Sequence, residues 1–440
     1  MSNSKNKSIL GHFIWTLSGQ YYILFCNLLN SIMLSRILLP EGRGKVALAI
    51  LYPTIIANVA AAGLGNISTW VLSKNPQKAR GWFSHISITG VTIAVFASIL
   101  CCFLLPYIIK NPEDLSLATF YILTIPILIF NSIIYGCFAG LMRFDLLAMF
   151  QSIGISLITF SILILTFLNF FTPLTYLYVL LTGSTIQLLL GLIILATHTS
   201  GSWRPYTPGG TRKFYFKLVP LLWVNIFRTQ SDRLLLTTLL PNQSAKFGIY
   251  IASTSISNMV LPCITAIQNV LFPHSARASK EEVLSMFKQT IRIYNLIYFL
   301  IAIILILSIE LLISLAFGKA FAGGGNYARL AIIALGLYGV NLQAISVLQG
   351  QGRPELATFY GLTIFIVSAV ISIFCVLQFN YYGALLGNIC GNFFGILILP
   401  YFLKGVSFSE LIPGRKEINL SIYSVKNLIR KTFFFIFNKR

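Results

Sequence analysis

Leu38-Leu39-Pro40-Glu41-Gly42-Arg43-Gly44-Lys45 and, 201 positions later, Leu239-Leu240-Pro241-Asn242-Gln243-Ser244-Ala245-Lys246 share a Leu-Leu-Pro followed by a Lys five residues after the Pro. A second pair is sharper. Gly140-Leu141-Met142-Arg143-Phe144-Asp145-Leu146 and Gly350-Gln351-Gly352-Arg353-Pro354-Glu355-Leu356 repeat Gly-x-x-Arg-x-acid-Leu at an offset of 210. The two echoes fall at the first and fourth connections of each half, so the chain reads as an internal duplication.

What lies between these connections is apolar. Of 440 residues, 56% are hydrophobic and 10% charged, against roughly a quarter charged in soluble domains, so the chain belongs in a membrane. At about 20 apolar residues per span, twelve spans are expected: 11–35, 46–72, 83–109, 117–141, 146–170, 176–197, 214–239, 247–272, 290–317, 327–350, 356–379 and 382–403. The first lacks a small-residue cleavage site and is too long for a signal-peptide core, so it reads as a retained helix. Six spans per half is an even number, which gives both halves the same orientation. The expected fold is an all-α polytopic membrane protein of twelve transmembrane helices in two parallel six-helix bundles. Its bounds are 1–198 for the first bundle, 199–213 for a polar linker rich in Gly, Ser, Pro and Thr, 214–403 for the second bundle, and 404–440 for a basic tail lying on the membrane surface.

The charge follows this topology. The chain has 32 Lys and Arg against 11 Asp and Glu, a net +21. Sorted by connection, 23 of the cations fall on the side of both termini, seven on the other, and Arg228 and Arg233 inside a span. The positive-inside rule then places both termini in the cytoplasm, and the excess charge serves topology and attraction to the lipid bilayer rather than a nucleic acid. The seven cysteines sit within spans without paired spacing, and the four histidines are scattered, so no metal site, disulfide framework or cofactor is expected. No phosphate-binding loop of the nucleotide-hydrolysing type is present. Connections of about 5 to 18 residues leave no aqueous domain for a membrane polymerase or ligase.

An ionisable residue at bilayer depth costs about 2.5–3.5 kcal/mol on insertion scales, which makes it a site candidate. The seventh span holds Asn225, Arg228, Gln230, Ser231, Asp232 and Arg233. Arg228 and Asp232 are neighbours on one helical face, which allows either a self-neutralising pair or a net positive charge facing a wet cavity. Arg36, at the outer end of the first span, lines the cavity mouth or marks the interface, with Arg43 and Lys45 beside it. Asp232 and Glu310, read as buried acids, are the candidates for proton or sodium coupling. Asn341, Asn388 and Asn392 belong to a set of span amides that reads mostly as interhelical hydrogen-bond partners.

The segment Ser35 to Gly44, the run Ser231-Asp232-Arg233-Leu234-Leu235-Leu236 with Lys246-Phe247-Gly248-Ile249-Tyr250 after it, Gly350-Gln351-Gly352-Arg353-Pro354, and Tyr382-Gly383-Ala384 resemble, in order, the polysaccharide flippases of the multidrug/oligosaccharidyl-lipid/polysaccharide exporter superfamily. The resemblance implies transfer of an undecaprenyl-pyrophosphate-linked glycan across the bacterial cytoplasmic membrane by alternating access, with other polysaccharide-assembly membrane proteins as partners. It also implies Arg36, Arg228 and Arg233 as cationic cavity residues. The drug-extruding branch carries an acid in its first helix, and residues 11–35 have none. An ion-coupled multidrug exporter is the alternative.

Overall fold

A computed structural model describes residues 2–199, 201–261, 264, 271 and 280–411; for residues 2–18, 20, 144, 280, 408 and 409 it describes the backbone alone. The far end of the predicted eighth span, Pro262, and the basic tail beyond residue 411 lie outside the described residues. Among those described there is no strand. The helices are α1 (Ser2–Ala61), α2 (Leu64–Lys74), α3 (Ala79–Ile108), α4 (Pro112–Tyr121), α5 (Thr124–Gly140), α6 (Phe144–Phe167), α7 (Pro173–His198), α8 (Thr211–Leu239), α9 (Ser244–Ser257), α10 (Lys280–Phe317), α11 (Gly325–Gly350), α12 (Pro354–Phe379) and α13 (Tyr381–Phe402).

The described parts of the twelve predicted spans lie largely on these helices, so the fold is the expected all-α membrane architecture. Nine described stretches are long and apolar enough to cross a bilayer. One of them, Tyr21–Lys74, carries the first two predicted spans. α8 is absent from the nine because its polar cluster lowers its hydropathy. The outward faces of α3, α6, α10 and α13 expose Phe103, Phe160, Leu307 and Tyr401, as a lipid surround requires.

The duplication is visible in hydrogen bonds. At the α5–α6 connection Met142 takes φ 55°, and the Arg143 N–H reaches back to the Phe138 carbonyl. At the α11–α12 connection Gly352 takes φ 72°, and the Arg353 N–H reaches back to Leu348. Each is a helix C-cap with a left-handed residue and a 6→1 bond. The Gly-x-x-Arg motif is therefore the sequence of one turn, used twice.

The other echo does something different in each half. Leu39, at φ 58°, breaks α1 without ending it, and Pro40 restarts the helix. Pro241 instead sits in a true connection between α8 and α9. The two copies meet. A Cβ on Gly44 would lie 1.7 Å from the Ser244 carbonyl oxygen, and one on Gly248 would lie 1.9 Å from that of Pro40. The halves are thus sealed backbone to backbone at the end of the molecule that holds the α1 break. The core reflects this. One hydrophobic cluster fills the second half around Phe287, Ile291 and Tyr360. The cluster of the first half, around Trp82, Ile125 and Phe138, continues across the seam to Leu236, Phe247 and Tyr250.

At the opposite end lies the linker. Its Tyr206 N–H bonds to the Gly81 carbonyl, and Arg80 sits 5.5 Å from the Trp203 ring. Here too the chain leaving α13 is clamped to α10: Lys288 Nζ lies 2.7 Å from Glu410 Oε1, Asn295 donates to the Leu411 carbonyl, and the ammonium holds the Glu410 carboxyl below its usual value.

Gly248→Ala is expected to destabilise this sealed state by about 1–3 kcal/mol, the range for overpacking. Thermal unfolding in detergent checks it, with a lowered Tm as the expected result and an unchanged Tm as the opposing one.

Candidate functional site

Among the described residues, three interior spaces share lining residues. A cleft of about 590 Å³ lies between the halves toward the linker end, bounded by Asn66, Thr69 and Trp70 of α2, by α8, and by Gln349 and Pro354. A second space of about 390 Å³ lies within the second half and carries Thr229, Asp232, Tyr338, Ser368, Asn388 and Asn392. A third, about 190 Å³, lies on the seam toward the break end, lined by Leu34, Arg43, Thr54, Gln230, Arg233 and Ile251 among others.

Arg228 lines the first and second spaces, and Arg233 lines the second and third. The reason is helical geometry. Five residues advance about 7.5 Å along an axis at 1.5 Å each, so α8 sets two guanidiniums one above the other along the interior. Arg43, just past the α1 break, stands third, and the cations ascend from the cleft toward the sealed end.

Arg228 is 7% exposed. One Nη donates to Asn392 Oδ1 at 3.2 Å, the guanidinium lies 4.5 Å from the Tyr338 ring centre, and Nε is buried without a hydrogen-bond partner. Asn392 is held in turn by Asn341, whose Nδ2 donates to its carbonyl at 2.9 Å, and Asn341 accepts from the Tyr360 hydroxyl at 2.6 Å. These amides are interhelical hydrogen-bond partners, as expected of them.

The Arg228–Asp232 pair allowed by their spacing does not form. Asp232 accepts instead from the Tyr250 hydroxyl at 2.5 Å, and Arg233 donates to Gln230 Oε1 at 3.2 Å. Among the described residues, none of Arg228, Asp232 and Arg233 makes an ion pair. The cluster carries two cations and one acid into one interior, and a buried guanidinium without a carboxylate favours an anion.

Two other sequence candidates stand elsewhere. Arg36 lines none of the three spaces. It is exposed and donates to the carbonyls of Ala316 and Leu315, where it caps the end of α10. Glu310 is exposed rather than buried: its side chain is 67% accessible and pairs with Arg329 at 2.7 Å. Hydropathy finds the span but not the face of the helix that a polar residue occupies.

Arg43, placed by the sequence in an outer connection beside Arg36 and Lys45, lies in the interior. It is 5% exposed, donates to the Ser31 carbonyl at 3.2 Å and to Ser31 Oγ at 2.8 Å, and keeps a buried Nε without a partner. Pro40 marks a kinked helix as readily as a loop, but the polar run Glu41 to Lys45 after it reads as a connection.

Comparison with known proteins follows the same line. Residues 9–279, more than half of the chain, match a family described as "Polysaccharide biosynthesis protein". Among curated proteins no sequence matches. Solved structures share the fold. A lipid II flippase in an inward closed conformation, MurJ, superposes with TM-score 0.73 at 14% identity over 90% of this chain and 89% of its own. An inward-facing multidrug resistance MATE family transporter of the MOP superfamily gives 0.67 at 14% identity over 90% and 100%. A MATE in a bent conformation gives 0.63 at 17% identity over 92% and 97%.

If Arg228 is kept for an anion and not for stability, replacing it with an apolar residue of similar length removes a desolvation cost. Arg228→Met is expected to leave Tm unchanged or raise it in purified protein. A fall of several degrees would make the guanidinium structural.

Proposed function

Because the chain belongs to the polysaccharide biosynthesis protein family, we propose that it moves an undecaprenyl-pyrophosphate-linked oligosaccharide repeat unit from the inner to the outer leaflet of the bacterial cytoplasmic membrane. The observation that carries this reading is Arg228, a buried guanidinium without a carboxylate partner at the junction of the inter-bundle cleft and the polar space within the second half. A diphosphate supplies the charge that this arginine lacks. The amide and hydroxyl groups of Asn388, Asn392 and Ser368 suit sugar hydroxyls, while the polyprenyl tail stays in lipid.

The charge distribution also separates this function from drug export. Multidrug substrates are commonly cationic, and a cavity lined by Arg228 and Arg233 against Asp232 repels them. In this reading the linker end and both termini face the cytoplasm, which is the side with the larger share of cations. The two halves act as bundles of about residues 1–198 and 214–403, and the sealed break end is the outer gate. Alternating access then consists of parting that seam while the cleft closes. The headgroup passes a ladder of arginines, so no bond is made or broken. Asp232 is the acid that lines these spaces, and any proton coupling runs through it.

In a strain lacking its own repeat-unit flippase, Arg228→Gln is expected to lower surface polysaccharide at least about tenfold while the lipid-linked repeat unit accumulates. Arg228→Lys keeps the charge but not the planar fork and is expected to restore part of it. Full complementation by Arg228→Gln would contradict the reading. Asp232→Asn tests the coupling: if Asp232 carries the proton, the variant's transport becomes insensitive to a protonophore that slows the parent.

A further inference from the structure

The space beneath the sealed end is built unlike the other two. Arg43 and Arg233 both face it, and no acid lines it. Arg43 is held by neutral acceptors alone, the carbonyl and hydroxyl of Ser31, and its buried Nε has no hydrogen-bond partner. About 190 Å³ equals several water volumes, which accommodates a phosphate-sized anion.

The acceptors of Arg43 belong to a chain of hydrogen bonds that crosses the seam. Ser31 lies on α1 in the first half, and its hydroxyl is 3.0 Å from that of Ser255 on α9 in the second. Ser255 spends its proton on the Ala252 carbonyl at 2.6 Å, so the Ser31 hydroxyl donates to Ser255. Arg43 Nη2 occupies a lone pair of the Ser31 oxygen and thereby holds that donation in direction. The relay runs Arg43 to Ser31 to Ser255 to Ala252, each bond polarised by the one before it. Arg43 also rests 5.9 Å from the ring centre of Phe317 at the end of α10, in the second half. One guanidinium therefore touches both bundles at the place where they are sealed.

Resting on the diphosphate reading above, we infer that Arg43 and Arg233 form a second anion site, distinct from that of Arg228, which takes the phosphate of the headgroup and whose occupation unlatches the sealed end. The physical step is a competition. A phosphoryl oxygen offers Arg43 a charge-assisted hydrogen bond, roughly twice as strong as those to a neutral hydroxyl and carbonyl. Arg43 turns from Ser31 toward the anion, the Ser31 hydroxyl is no longer oriented, and the Ser31–Ser255 bond across the seam is lost. The cargo thus weakens the gate in front of it, and an empty transporter stays shut.

The experiment uses full-length protein in vesicles with a cysteine at Leu34 (Leu34→Cys), a buried residue lining this space. A membrane-impermeant maleimide is added outside, and inorganic pyrophosphate is loaded inside. The parent chain without the added cysteine gives the background. Pyrophosphate is expected to raise the labelling rate at least about fivefold. With Arg43→Gln the ratio with and without pyrophosphate falls to one, and with Ser31→Ala labelling is fast without pyrophosphate. A pyrophosphate response that survives Arg43→Gln intact, or a resting rate in Ser31→Ala equal to that of the parent, overturns the latch. Thermal shift separates the two levels. If pyrophosphate stabilises purified protein through Arg228 but leaves Leu34→Cys labelling unchanged, the latch alone fails. If it does not stabilise the protein at all, the diphosphate reading falls and the latch with it.

Discussion

A guanidinium held at bilayer depth without a carboxylate is the constraint around which the second half is organised. Desolvating such a group is costly, and the chain meets the cost with weak acceptors, an amide oxygen of Asn392 and the face of Tyr338, rather than with an acid. Asn341 and Tyr360 stand behind Asn392 and fix its orientation. Asp232, one turn from Arg228, is diverted to Tyr250. Had the acid paired with Arg228, that guanidinium would be neutralised and only Arg233 would be left with an unpaired charge in this space. A polar network that tolerates an uncompensated charge marks a position shaped for a ligand.

The second constraint is the approach of two backbones. Gly44 and Gly248 let α1 and the start of α9 touch the opposite half with no side chain between them, so the hydrophobic core runs unbroken across the break end while the linker end keeps its cleft. Hinge and seal are neighbours, since the Leu39 break immediately precedes the glycines. Four residues past it stands Arg43, which lines the space beneath the seal.

Much of this was legible in the sequence for definable reasons. Periodic apolar runs located the helices, and the Gly-x-x-Arg echo located a turn whose hydrogen bonds recur atom for atom at Arg143 and Arg353. Arg228 and Arg233 announced themselves by being charged inside a span. Arg36 and Arg43 could not be told apart. Both flank Leu-Leu-Pro, and only the φ of Leu39, which lets the helix resume without a loop, sends Arg43 inward and leaves Arg36 at the end of α10. Glu310 failed for a related reason, because depth along a helix follows from sequence whereas facing depends on the neighbouring helix. The spacing of Arg228 and Asp232 permitted a pair that tertiary competition from Tyr250, 18 residues on, removed.

The central claim is that this fold carries a lipid-linked sugar across the bilayer, and reconstitution tests it most directly. A polyprenyl-diphosphate oligosaccharide is placed in one leaflet of vesicles with and without the purified protein, and its glycan is read by a lectin or glycosidase confined to the other side. The account predicts that the glycan becomes accessible only in vesicles holding the protein, and that excess inorganic pyrophosphate slows its appearance. Equal accessibility with and without the protein, or export of a cationic dye in place of the glycan, would contradict it.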